Sequence, residues 1–232
     1  MQTPISLPFA DKYDKQHAQD YWQKHRRGLA RKLSNWRDQQ IARWALEQAC
    51  QPQQVLDLPC GAGRFWPTLL ANETRSLIAA DNAAAMLDVA QQVHSPATLA
   101  RIQLLQTSAF AIDLPDNSVD SIFCMRLLHH IEQNDHRLAM LKECRRVTRD
   151  SLIISLWVDG NVKAERRRRT EARRAARGPG NNTNRFVARR DEIEKLFLEA
   201  GFTIQSHKDF IPGYAMWRVY VLRSADRSKP LP

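Results

Sequence analysis

Residues 55–65 read VLDLPCGAGRF, and this stretch decides the fold class. Its first residues predict a short buried strand with Asp57 near the end, and a turn with two glycines follows before a helical pattern begins. Gly61 and Gly63 can adopt a positive φ, and without a Cβ they let a ligand approach the main chain. Turn amides and a helix N-terminus can hold a carboxylate or phosphate. The stretch therefore predicts a strand, a ligand-binding turn and a helix.

The chain beyond this stretch alternates between apolar runs and helical patterns. The apolar runs predict five strands, at Val55–Leu58, Leu77–Ala80, Ile102–Leu105, Ser121–Met125 and Leu152–Trp157. The intervening segments predict helices, notably Ala84–Gln92 and Asp135–Val147. Later segments predict a helix at Asp191–Ala200 and two terminal strands that can pair antiparallel, at Phe202–Ile204 and Met216–Leu222. Strands that alternate with helices indicate an α/β fold with a parallel sheet and right-handed crossovers.

The first fifty residues have a different pattern, in which apolar residues recur at helical spacing among many charges. Examples are Leu29, Leu33, Trp36, Ile41 and Leu46. This spacing predicts two or more amphipathic N-terminal helices joined near Ser34. Pro52 ends the helical pattern.

Composition indicates one soluble globular domain. The chain has 232 residues, of which 43% are hydrophobic and 26% charged, enough for one substantial core. Four scattered cysteines, with no metal-ligand spacing, favour neither a disulfide framework nor a zinc site. Neither a secretory signal in residues 1–13 nor an apolar run long enough to cross a membrane is evident, so a cytoplasmic protein is expected.

The chain is strongly basic, with a formal net charge of +10 and a pI near 9.8. Such a balance favours anionic partners. Much of the excess lies in residues 165–177, which read ERRRRTEARRAAR. These arginines can bind phosphate groups, but a solvated helix in which Glu165 and Glu171 pair with some of them explains the run equally well. No aromatic residue for base stacking lies between Val162 and Arg185, so nucleic acid is a less favoured partner.

Asp81 follows the second predicted strand, at the position where dinucleotide-binding folds place a carboxylate that accepts ribose hydroxyls. A helix N-cap ahead of Ala84 is the alternative role for this side chain. The sequence contains neither GxxxxGK[ST] nor, at the glycine turn, the GxGxxG of a nicotinamide site. Phosphate-binding NTPases and dehydrogenases are therefore disfavoured.

Four ordered stretches carry a family resemblance: VLDLPCGAGRF, AADNAAAMLDVA at 79–90, TSAFAIDLPDNSVD at 107–120 and CMRLLHHI at 124–131. They resemble the motifs of class I S-adenosylmethionine-dependent methyltransferases, especially the ubiquinone and menaquinone branch. The likeness covers Val55 to Trp157, and EAGF at 199–202 adds to it. It implies a Rossmann-like fold with a mostly parallel seven-stranded sheet, helices on both faces, an antiparallel C-terminal strand and additional N-terminal helices.

The resemblance also implies a site for S-adenosyl-L-methionine. Asp57 would orient the turn and the methionine ammonium, and the backbone along the methionine portion would come from Cys60, Gly61 and Gly63. Asp81 would hold the ribose diol. The adenosine would lie beside Asn82 and Met86, the adenine beside Ser108 and Ala109, and the methionyl end beside Met125 and Arg126.

Two positions depart from the family pattern. Pro59 stands where the family has its first glycine and so lacks an amide. Ser108 stands where the family has an aspartate, and a hydroxyl accepts hydrogen bonds more weakly. Adjacent His129 and His130 suggest a base or a metal site, but neighbouring side chains on a helix or strand point apart, so structural roles are preferred. Neither a metal site nor a catalytic base is predicted.

The resemblance divides a single domain, 1–232, into an N-terminal helical lid (1–50), a cofactor-binding core (54–157), a basic insertion (160–188) and a C-terminal helix with strands (189–232). Its predicted activity is methyl transfer to a small-molecule or lipid-linked acceptor, for which the charge also allows an anion. Two alternatives stay open: an RNA methyltransferase that uses the basic insertion, and a cofactor- or RNA-binding protein without catalysis. The sequence does not determine the oligomeric state.

Overall fold

The structure is a computed structural model, and it describes residues 28–175 and 184–225. Seven strands form one sheet: β1 (Gln54–Asp57), β2 (Ser76–Asp81), β3 (Ile102–Gln106), β4 (Val119–Cys124), β5 (Thr148–Trp157), β6 (Phe202–Asp209) and β7 (Trp217–Ser224). Their order across the sheet is β3-β2-β1-β4-β5-β7-β6. Strands β1 to β5 pair in parallel, while β7 runs antiparallel to both β5 and β6. The predicted α/β class and mostly parallel sheet are confirmed.

Seven α-helices are described alongside the strands: α1 (Leu29–Gln48), α2 (Trp66–Leu69), α3 (Ala84–Val93), α4 (Pro96–Leu99), α5 (Asn134–Val147), α6 (Val162–Ala175) and α7 (Arg190–Glu199). A short 3-10 turn, Leu128–His130, follows β4. Among the described helices, none is both long and apolar enough to cross a membrane.

Two apolar cores cover the two faces of the sheet because side chains alternate along each strand. Leu56 of β1 and Ile122 of β4 pack on one face together with α5 and α7. Val55 and Phe123, their chain neighbours, pack on the opposite face with α1, α2 and α3. Near-continuous burial along β4 and β5 is what a parallel sheet covered on both sides requires.

The predicted junction near Ser34 is wrong, since α1 runs without a break from Leu29 to Gln48. No glycine or proline interrupts this segment, and a single serine costs too little to end a helix. Only its second half is buried, whereas Leu29 and Leu33 are 86% and 66% exposed. The remaining predicted N-terminal helices lie outside the described residues.

The C-terminal strands form the expected antiparallel pair, and β6 continues five residues past the predicted end at Ile204, to Asp209. A polar stretch, QSHKD, forms this extension, and its pairing with β7 rather than its own apolarity keeps it extended. Helix α6 occupies the predicted basic insertion. The turn-rich segment that follows, 178–183, lies outside the described residues.

Candidate functional site

The candidate site lies along the edge of the sheet at which the parallel strands end. In sheets of this kind ligands bind at that edge, where the order of strands reverses, here between β1 and β4. We call the ends of β1 and β2, with Asp57, Gly61 and Asp81, the acidic half. The ends of β4 and β5, with the start of β7, form the basic half.

Asp57 is the most deeply buried group of the acidic half, at 1% exposure. Its Oδ2 has no hydrogen-bond partner among the described residues. Burial raises the pKa of this carboxyl well above its usual value, and nearby Asp81 adds to the increase. The indole N–H of Trp66 lies close enough to offset part of the shift, although it does not meet hydrogen-bond geometry. A buried carboxylate without a counter-ion is suited to a cationic ligand group.

The glycine turn uses its two glycines differently. Both have positive φ, 54° at Gly61 and 74° at Gly63. Gly61 is half-buried, whereas Gly63 is buried under side chains: a Cβ there would lie 2.5 Å from the Trp66 ring and 2.6 Å from His94 Nε2. The same His94 nitrogen lies 3.0 Å from the carbonyl oxygen of Ala62. Gly63 therefore shapes the turn, and Gly61 is where a ligand can approach its backbone.

Asp81 connects the end of β2 to this turn. Its Oδ2 accepts a hydrogen bond from the Gly61 N–H at 2.9 Å, and its Oδ1 accepts one from the Ala83 N–H at 3.0 Å. Helix α3 has Ala83 as its N-cap residue, without a side-chain cap, so the capping role considered for Asp81 is not what the structure shows. Burial raises the pKa of Asp81, and the amide hydrogen bonds oppose that shift. Each carboxylate oxygen keeps a second lone pair that could accept a hydroxyl.

The other residues predicted beside the adenosine and the turn differ in exposure. Asn82 is exposed at the edge and Ser108 is half-buried. In contrast, Cys60, Met86 and Ala109 are at most 8% exposed, and Met86 packs beneath the turn. The structure thus brings Asn82 and Ser108 to the surface of the acidic half, and leaves the other three to support it from below.

In the basic half, Arg126 has an unusual backbone. Its φ is 67°, which a residue with a side chain rarely adopts. The Arg126 N–H donates to Ser155 Oγ at 2.8 Å, and Nη2 donates to Asp38 Oδ2 at 2.6 Å. The guanidinium lies 4.8 Å from the Trp217 ring centre. Arg126 therefore joins the end of β4 to α1 and β7.

Asp38 was missed by the sequence analysis, although it ties the two halves together. Arg64, which follows the glycine turn, donates to the same Asp38 Oδ2 at 2.5 Å. Two guanidiniums thus share one carboxylate that is only 6% exposed, and the group is positive overall. The available signal was that Asp38 lies at helical spacing with Ile41 and Ala45, on the apolar face of α1.

An aromatic cluster completes the basic half. His129, 3% exposed, packs 5.2 Å from the Trp157 ring and 4.7 Å from the Trp217 ring. Burial, reinforced by His130 and nearby arginines, lowers the pKa of His129 to about 2. The expectation that the two histidine rings point apart is wrong, because the 3-10 turn places their centres 4.0 Å apart. His129 is neutral near pH 7 and far too weak a base to hold a proton there.

Helix α6 extends from this cluster into solvent. Arg167 lies 5.1 Å from the Trp157 ring centre and pairs with Glu171 at 2.8 Å. Glu165 pairs with Arg168 and Arg169 at 2.8 and 2.7 Å. Both considered carboxylate partners are thus engaged, while other arginines of the helix, such as Arg166, are exposed. Arg177 lies outside the described residues.

A recess of about 240 Å³ lies between α1 and the basic half. Its walls are mostly apolar, with three polar residues among them. The lining residues are Asp38, Ile41, Met125, Arg126, Ser155, Phe210, Trp217 and Val219. It adjoins Met125 and Arg126, the two residues predicted at the methionyl end of the cofactor.

The strand order, the antiparallel β7 and the acidic residues after β1 and β2 define the class I methyltransferase fold. Residues 55–151 match the sequence profile of a family described as "Methyltransferase domain". This part of the chain is a class I S-adenosylmethionine-dependent methyltransferase domain.

Individual relatives agree with this assignment. A probable S-adenosylmethionine-dependent methyltransferase of Mycobacterium tuberculosis is 26% identical over 172 residues, which are 72% of this chain. The alignment spans 55% of that relative, so the chain spans about half the length of the curated relatives it matches.

Solved structures share the fold at low sequence identity. Magnesium protoporphyrin IX methyltransferase from Synechocystis PCC 6803, with bound S-adenosylhomocysteine, aligns with a TM-score of 0.71 at 15% identity, covering 92% of this chain and 97% of that one. The [4+2]-cyclase SpnF aligns with a TM-score of 0.63 at 13% identity, covering 81% and 80%. Since one neighbour is named for a cyclisation, the fold alone does not define the reaction.

Proposed function

We propose that this protein transfers a methyl group from S-adenosyl-L-methionine to a small-molecule or lipid-linked acceptor. The observation that carries the proposal is Asp57, a buried carboxylate whose Oδ2 has no hydrogen-bond partner among the described residues, beside the glycine turn. Leaving such a group unpaired costs about 1–3 kcal/mol or more. A cofactor ammonium would remove that cost, and the residues present therefore fit the cofactor.

Each half of the edge has a part in the proposed reaction. When bound, the cofactor supplies a methyl group on a sulfonium, which is open to in-line displacement. Asp57 would bind its ammonium, and Asp81 would accept the ribose hydroxyls while it holds Gly61 in place. The backbone at Met125 and Arg126 would border the methionyl end. This chain's main contribution is to align the acceptor and exclude water, because the buried His129 is too weak a base to take a proton near pH 7.

Calorimetry with S-adenosylhomocysteine tests the cofactor site. We expect wild type to bind and Asp81→Ala to bind about 100-fold more weakly, since two hydrogen bonds to a carboxylate are worth about 3 kcal/mol together. Asp150→Ala, which removes an exposed carboxylate, is the matched control and should bind like wild type. Absence of binding by wild type would contradict the proposal.

Methyl transfer itself requires an acceptor assay. Labelled cofactor is incubated with the protein and with fractionated small-molecule, lipid and RNA extracts, and label is expected in the first or second fraction. Binding of S-adenosylhomocysteine without transfer to any fraction would instead support the non-catalytic alternative, a protein that binds the cofactor only.

Exposed arginines on α6 favour one second candidate, an RNA methyltransferase. Arg166 and Arg173 are exposed and have no printed carboxylate partner among the described residues, so they can contact phosphates. RNA retention that falls steeply with salt, and falls further in a double Arg166→Gln, Arg173→Gln variant, would support this candidate. Label in the RNA fraction would establish it over the metabolite acceptor.

A further inference from the structure

The recess beside Arg126 has the composition of a small-molecule site. Phe210 and Trp217 provide flat aromatic walls, and Ile41, Met125 and Val219 provide aliphatic ones. Its polar groups converge at one end, where Arg126 and Asp38 meet. Apolar walls with a few convergent polar groups are typical of sites that bind the body of a ligand by contact and orient it by one charge.

The charge at that end is positive. Arg64 and Arg126 share the single carboxylate of Asp38, so the group carries one excess positive charge. The described contacts of the Arg126 side chain engage only Nη2 as a hydrogen-bond donor, whereas a guanidinium has five N–H donors in a planar fork. Its side chain is 25% exposed, so an incoming group can reach the remaining donors.

The Arg126 backbone supports a role beyond packing. A left-handed φ costs a residue with a side chain roughly 1–2 kcal/mol, and such costs concentrate at ligand sites. Here the strained conformation is held by the hydrogen bond from the Arg126 N–H to Ser155 Oγ. It directs the guanidinium onto the Trp217 face, at the end of the recess.

We propose that the recess binds the acceptor, and that the acceptor is an aromatic carboxylate whose ring lies against Trp217 and Phe210 and whose carboxylate pairs with Arg126. A planar guanidinium matches a carboxylate with two parallel hydrogen bonds. This inference rests on the proposed methyltransferase function, because the recess adjoins the residues expected at the methionyl end. It assigns Arg126 as a specificity-determining residue.

The test compares 2-naphthoate with 2-naphthamide, which share a ring system and differ in charge. Binding to protein saturated with S-adenosylhomocysteine is followed by tryptophan fluorescence and calorimetry. We expect 2-naphthoate to bind at least about tenfold more tightly, since a charged hydrogen-bonded pair contributes about 1.5 kcal/mol or more. Arg126→Gln should abolish this preference, and Arg126→Lys, which keeps the charge without the fork, should retain part of it.

Arg166→Gln is the matched control, because it removes one positive charge from an exposed position on α6. It should keep the full preference for 2-naphthoate. Equal binding of the two probes to wild type, or a preference that survives in Arg126→Gln, would overturn the proposal. So would failure of 2-naphthoate to bind at about 10 mM, a concentration that fills even a site with a Kd near 1 mM.

A separate measurement shows whether Arg126 serves the cofactor's own carboxylate instead. In that case Arg126→Gln would weaken S-adenosylhomocysteine but not methylthioadenosine, which lacks that carboxylate, and the two naphthyl probes would bind wild type alike. Failure of the methyltransferase function has a different signature, since wild type would then not bind S-adenosylhomocysteine at all.

Discussion

The acidic and basic halves of the edge are built in opposite ways. In the acidic half, Asp81 is held by backbone N–H groups and Asp57 Oδ2 has no partner in the described part of the chain. In the basic half, guanidiniums lie on tryptophan faces, and α1 supplies their carboxylate. The net charge of +10 therefore hides a site with two signs. A ligand set that spans it should be cationic at one end and anionic at the other.

The largest effect that would sharpen this contrast is expected at Gly63. A Cβ there meets the Trp66 ring and His94 at 2.5–2.6 Å, and φ is positive. We expect Gly63→Ala to lower the free energy of unfolding by roughly 3 kcal/mol or more, the sum of overpacking and left-handed strain. Urea denaturation measures the change.

Gly213→Ala is the control for Gly63→Ala. Gly213 has a similar φ of 69°, yet nothing lies within 4 Å of its added Cβ. Only the backbone strain remains, about 1 kcal/mol. If both variants lost the same stability, the backbone of the acidic half would not be fixed by side-chain packing around the turn.

A smaller loss is expected when Asp38 is changed, since this residue joins the halves. Asp38→Asn leaves Arg64 and Arg126 without their shared charge. Loss of one partner from a buried ion pair costs about 3–5 kcal/mol, and partial exposure of Arg126 reduces the expected loss to about 2–3 kcal/mol. Thermal and urea unfolding would report it.

Glu165→Gln provides the comparison for Asp38, because it also breaks pairs with two arginines, but on the exposed surface of α6. We expect no measurable change in stability. Similar effects for Glu165 and Asp38 would mean that burial of the Asp38 group contributes nothing.

The smallest effects are opposite pH dependences in the two halves. The pKa of Asp57 is raised by burial, so its contribution to stability is complete below the unfolded pKa and is lost as pH rises. The pKa of His129 is lowered to about 2, so its contribution is present above the unfolded value near 6.5 and is lost as pH falls. Each group changes the free energy of unfolding by at most about 1.4 kcal/mol per pH unit.

Unfolding of wild type, Asp57→Asn and His129→Gln between about pH 5 and pH 8 separates the two groups. Relative to wild type, Asp57→Asn should become more stable as pH rises, and His129→Gln should become more stable as pH falls. Parallel curves for either variant would show that the group does not titrate differently on folding.

The acidic half was largely predictable from sequence, and the basic half was not. Strand, turn and carboxylate follow one another locally in residues 55–65, so pattern and spacing predict β1, the turn and Asp57. The Asp38–Arg126 contact joins residues 88 positions apart, and no local pattern reports such a pair. The same limit explains the wrong junction at Ser34, where the continuous helix is fixed by packing of its later turns on the sheet.

Histidine geometry failed for a related reason. The expectation that His129 and His130 diverge assumed regular structure, but the chain forms a 3-10 turn there. Burial of one ring between Trp157 and Trp217 depends on two strand ends that are remote in sequence. Exposure within the acidic half, such as Gly63 beneath Trp66, likewise required the three-dimensional structure.

The direction of β7 determines which late residue reaches the edge. Trp157, the last residue of β5, lies opposite Trp217, the first residue of β7, because the two strands run in opposite senses. Seven residues of antiparallel register place Arg223 opposite Ser151, at the far end of the sheet. A parallel β7 would have exchanged these ends and put an arginine where the indole now stands. A single reversed strand thus supplies the aromatic wall of the recess from the last part of the described chain.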